Sequence, residues 1–150
     1  MPAAALSSFM SAAGLCAQEM LSNASYVNGE LSSLGLTPVY VQSIGEVCSS
    51  LIGTKHDVIS ELHELEEFSA EPASEVVQRR VERVHRWLGE ELPKLDNLVK
   101  SLESASQTKP EIGSAYVLVA ESAVNILRSF SKVSNEAEAY FRAARAGAGA

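Results

Sequence analysis

Apolar residues recur along this chain at alternating steps of three and four, in separate stretches with turn-forming residues between them. The first stripe reads Leu6, Met10, Ala13, Ala17, Met20, Ala24, Val27, Leu31 and Leu34 without a slip. The second reads Val41, Ile44, Cys48, Leu51, Lys55, Val58, Leu62 and Leu65, with Lys55 its only polar member. The last reads Ile112, Tyr116, Val119, Ala123, Ile126, Phe130, Val133, Ala137, Tyr140 and Ala144. Such spacing keeps one edge of a helix turned toward its neighbours over many turns, the pattern of left-handed bundles. The third stripe differs. It reads Val77, Val81, Val84, Leu88, Leu92, Leu95, Val99 and Leu102, so two steps of four follow one another at Leu88–Leu92, beside Pro93. A proline ring crowds the carbonyl four residues back, here that of Gly89, which predicts a continuous helix with a local kink near Gly89–Pro93.

The boundaries agree with the stripes. Pro2, Pro38, Pro72 and Pro110 each precede one of them, and proline suits the first turn of a helix. Thr37 is placed to cap the second helix, and Gly35 to end the first. Glu71-Pro72 and Lys109-Pro110-Glu111 set carboxylates near the positive ends of the next two helix dipoles. The helices are therefore expected at about 3–34, 38–69, 72–105 and 110–146, with Gly147 to Ala150 fraying. Short turns between long helices force antiparallel neighbours. The fold expected is an all-α, up-down-up-down four-helix bundle, one domain over residues 1–150. Shorter helices broken at Gly29, Gly53 and Pro93 are the competing architecture.

Composition narrows the function classes. A net charge of −7 speaks against nucleic acid as a partner and, less strongly, against anionic membranes. No apolar run approaches the ~20 residues of a membrane span. No basic segment precedes an apolar one as in a secretory signal. Cytoplasmic is the default location, with a non-classical export route left open by the charge-poor N-terminal third. Cys16 and Cys48 fall at heights roughly 12 Å apart on neighbouring helices, so they are expected as free thiols.

Candidate chemistry is thin. A di-iron bundle needs Glu-x-x-His twice plus two further glutamates, and Glu82-Arg83-Val84-His85 is a single copy. His56 and His85, at similar heights on adjacent helices, make with Asp57 or Glu82 the one grouping that could hold zinc; boundary histidines, His63 among them, are the simpler account. Lys55 needs a partner or a route to water, and Glu90 or Glu91 on the facing helix is the expected one. No nucleophile elbow or phosphate-binding glycine loop occurs, so no catalytic residue, cofactor or metal ligand is assigned.

The charge map offers more. Residues 1–54 contain Glu19, Glu30 and Glu46 and no lysine or arginine. Glu61, Glu64, Glu66, Glu67, Glu71 and Glu75 crowd the second turn, followed by Arg79, Arg80, Arg83 and Arg86. Solvated helix faces usually carry Lys and Glu, and a small uncharged face admits another helix closely. Ser8, Phe9, Ser11, Ala12, Leu15, Gln18, Ser22 and Ser25 are therefore the candidate interface, for a protein partner or a homo-oligomer. The function expected is non-enzymatic protein–protein contact, as an adaptor, chaperone-like or immunity factor, or assembly subunit. A small-molecule, lipid or metal-binding bundle is the alternative.

Overall fold

The computed structural model describes residues 1–149. It consists of α1 (Pro2–Glu30), α2 (Pro38–Glu66), α3 (Glu75–Thr108) and α4 (Gly113–Gly149), with no strand among the described residues. Short 3-10 turns at Leu31–Ser33 and Pro110–Ile112 extend the end of α1 and lead into α4. The helices have 29, 29, 34 and 37 residues. Each packs on its two neighbours in chain order, α4 closes onto α1, and the diagonal pair α1 and α3 scarcely meet. Contacts between α3 and α4 run in strict antiparallel order: His85 meets Ser134, Gly89 meets Phe130 and Glu103 meets Tyr116. This is the up-down-up-down four-helix bundle.

Local chemistry explains the ends. Gly35 adopts φ +65, a left-handed turn closed to most side chains, and the chain reverses there into α2. Thr37 is the N-cap residue before Pro38, although its hydroxyl accepts no capping bond. The third helix starts later than the proline alone predicts. Ser74 rather than Glu71 begins it, its hydroxyl accepting the Val77 amide at 3.3 Å. Pro72 stays in the loop, where its carbonyl accepts the Tyr140 hydroxyl at 2.6 Å. At the other end α3 runs on to Thr108, and α4 is helical to Gly149; Ala150 lies outside the described residues.

The α3 stripe does not slip. Its buried positions are Val77, Val81, Val84, Leu88, Glu91, Leu95, Leu98 and Leu102, an unbroken alternation of four and three. Glu91 holds the core position that the apolar pattern gave to Leu92, and Leu98 takes the place of Val99. Leu92 and Val99 are half-buried beside them. The helix is continuous through Pro93. Gly89 has a separate cause. A Cβ built there would lie 3.1 Å from Cζ of Phe130, a ring stacked on His85 with centroids 5.2 Å apart. Gly89→Leu is accordingly expected to lower stability by about 1–3 kcal/mol in urea unfolding, as overpacking does.

In α1 the buried stripe is wider than one edge. Phe9, Ala12, Cys16 and Asn23 are buried alongside Ala13, Ala17, Met20 and Ala24. A helix at the corner of a square bundle has two neighbours, so about three positions in seven turn inward rather than two.

Candidate functional site

The polar groups of the interior satisfy one another. Glu91, 2% exposed, accepts the Ser50 hydroxyl at 2.6 Å and the Lys94 ammonium at 2.9 Å, and Lys94 also donates to Ser50 at 2.8 Å. This closed triangle pins α2 to α3 at one height and makes a core glutamate tolerable. Lys55, expected to reach Glu90 or Glu91, forms no ion pair with either. Glu91 is engaged by Lys94, and Glu90 lies 3.6 Å from Arg86. Lys55 is half-buried, an exposure at which a long side chain can cover apolar surface and still hold its charge in water.

The acidic turn is compensated from α3. Arg80 joins buried Glu61 at 2.8 Å to Glu64 at 2.6 Å, and its guanidinium sits 5.0 Å from the centre of the Phe68 ring. Arg83 adds a looser contact to Glu61 at 3.6 Å, and Glu75 pairs with Arg79 as their spacing predicts. Arg86 lies 3.6 Å from Glu90, and Arg142 pairs with Glu138 on its own helix at 3.1 Å. Between α1 and α4, Asn125 donates to Asn23 at 3.3 Å, while Asn23 donates back to the Glu19 carbonyl and carboxylate. No fully buried side-chain nitrogen or oxygen among the described residues lacks a partner.

The histidines do not converge. His56 and His63 are exposed on α2, whereas His85 faces α4, its Nε2 2.9 Å from Ser134 Oγ. Burial against Phe130 lowers the His85 pKa below its usual value. Among the described residues no three His, Cys, Asp or Glu side chains form a metal-binding group. The cysteines are buried and unpaired, and burial pushes each thiol up to about 11. For Cys16, burial is the main cause, the Ser129 hydroxyl works against it, and Glu19 adds a smaller rise.

The outer faces remain. Of the candidate interface residues, Ser8, Ser11, Leu15, Gln18, Ser22 and Ser25 are exposed along one face of α1. Phe9 and Ala12 are not part of it. Both are buried, because the inward arc of α1 extends to the α4 side. Leu15 is 60% exposed and Tyr26 57%. Leu15 stands beside Lys132 and Glu136 in a shallow depression between α1 and α4. A second depression, of about 550 Å³, lies between α1 and α2 around Met10, Ile59 and His63. The third, of about 700 Å³, is apolar and runs between α3 and α4 past Leu92, Pro93, Val99, Ala120, Ala123 and Leu127. Inside the bundle the void between Val27, Ile44 and Val119 measures only about 10 Å³, room for one water at most. Sequence reasoning named Glu91 only as a partner for Lys55 and missed its place in the core, and it missed the α3–α4 groove. An unbroken four-three count landing on a glutamate was the signal for the first. Among the described residues no helix is long and apolar enough to cross a membrane.

The chain matches no family model, no curated protein and no solved structure.

Proposed function

We propose that this protein is a non-enzymatic helical scaffold that works by protein–protein contact, with the outer face of α1 as its docking surface. The observation that carries the reading is the row Ser8, Ser11, Leu15, Gln18, Ser22 and Ser25, all exposed on one helix face with no charged side chain among them. Small hydroxyl side chains let a partner helix approach closely, and they lose less hydration on contact than lysine or glutamate would. Leu15 and Tyr26 supply the larger apolar contacts on which such interfaces concentrate their binding energy. The partner fitting this face is an amphipathic helix of another protein. That role suits an adaptor, a chaperone-like or immunity factor, or an assembly subunit, acting in the cytoplasm.

A photo-crosslinking side chain at position 15 tests the reading in cell extract. It is expected to capture a discrete partner, and Ser11→Arg, one turn away, is expected to abolish capture without changing the circular dichroism. The reading is lost if the adducts match those from a crosslinker at exposed Glu90, outside this face. The second reading, a small-molecule or lipid carrier, is favoured by one observation, the apolar α3–α4 groove.

A further inference from the structure

The outward face of α4 carries Val117, Val124 and Leu127, exposed by 50, 51 and 51%. Single exposed apolar residues are ordinary, but three within ten positions of one helix form a patch. The patch borders the α3–α4 groove, which Ala120 and Leu127 help to line. Glu121 and Arg128 flank Val124 on the same helix. Both are exposed, and among the described residues neither forms an ion pair.

We propose that this face is the contact between two copies of the chain, packed as an antiparallel α4–α4 pair whose two-fold axis passes beside Val124. In such a pair each residue lies opposite the one equally far from the axis in the other direction, on the same side of the contact. With a helical rise of 1.5 Å, Glu121 stands about 4.5 Å before Val124 and Arg128 about 6 Å after it. Each Glu121 then comes level with Arg128 of the second copy to within about 1.5 Å, well inside the reach of both side chains. At about 100° per residue both also project to the same side of Val124, so the pair can close twice across the axis.

The same operation treats the other side of the contact equally well. Ala120 and Leu127 lie there at matching heights, so each Leu127 faces the small Ala120 of the second copy, next to the groove. Val117 meets Ser131, and Val124 meets its own copy. A parallel two-fold pair would instead set the side carrying Glu121 and Arg128 against the side carrying Ala120 and Leu127 of the second copy, which leaves both charges without a partner. A stable interface takes about 800 Å² from each partner, which is a tenth of the 8045 Å² surface of this chain. This contact lies on α4 and does not depend on the partner proposed for α1.

Sedimentation velocity of the full chain over a wide concentration range tests the pairing. The unaltered protein is expected to dimerise. Glu121→Arg and Arg128→Glu should each weaken the dimer by about tenfold or more, since each changes two symmetric contacts. The double exchange Glu121→Arg/Arg128→Glu should recover most of the loss. Val124→Cys should form a disulfide-linked dimer under mild oxidation, against a low background because Cys16 and Cys48 are buried. A protein that stays monomeric at the highest concentration overturns the proposal. So does a double exchange weaker than either single change, or a Val124→Cys chain that fails to cross-link. A monomer whose groove takes up decanoate would make an apolar ligand the occupant instead, and would overturn it equally.

Discussion

Phe9→Ala is expected to cost the bundle about 3–5 kcal/mol, whereas Leu15→Ala, less than two turns away, should change stability by less than about 0.5 kcal/mol. Phe9 is fully buried and Leu15 is 60% exposed, although both look like surplus apolar residues beside the first stripe. Removing the Phe9 ring takes away its burial energy and leaves a cavity that α1 and its neighbours cannot close, because the surrounding alanines Ala12 and Ala13 have no atoms with which to fill it. Urea unfolding of the two variants checks the contrast. Equal losses would mean that α1 is rotated about its axis relative to the arrangement described.

The second large effect is alkaline. Burial pushes Cys16 and Cys48 up to about 11 from an ordinary 9.0, and Tyr140 up to about 12 from 10.0. Each group is neutral when protonated, and its folded-state pKa is the higher one. The native state therefore holds its protons longer than the unfolded chain, and stability falls as pH rises. The contribution of the thiols is intact below pH 9 and is lost as pH climbs through about 11; that of Tyr140 goes between 10 and about 12. Two pH units per group is on the order of 2–3 kcal/mol, so the combined loss is several kcal/mol against a typical total of about 5–15 kcal/mol. Tyr140 donates its proton to the Pro72 carbonyl, so its ionisation also releases the loop that leads into α3. Thermal unfolding followed from pH 7 to 12 should show a flat region ending near pH 9. In Cys16→Ala/Cys48→Ala the fall should begin about one unit later, whatever the changed baseline stability. Identical profiles for the two proteins would refute the assignment to the thiols.

The α1 face was legible because charge is a property of residue type: a stretch with no lysine or arginine before Lys55 is visible without coordinates. The α4 patch was not. Val117, Val124 and Leu127 look like helix residues that a wider buried arc would absorb, as such an arc absorbs Phe9 and Cys16 in α1. Which flanking residues turn inward depends on where the neighbouring helix sits. The three-four repeat does not contain that information.

The number of helices, their order, their antiparallel packing and the starts of α1 and α2 were already set by the amino-acid sequence, whereas the end of α2 fell at Glu66 rather than 69. Apolar periodicity, proline and glycine act within a few residues of where they stand. Tertiary structure decided what local rules leave open. It started α3 at Ser74, because Tyr140 claims the Pro72 carbonyl. It turned His85 toward α4 and away from His56. It placed Glu91 in the core, at a position where an apolar pattern alone favours Leu92, because Ser50 from α2 and Lys94 from the next turn arrive together to satisfy it. A buried charge is tolerated only when its partners are in place, and one of those partners stands 41 residues away in the chain.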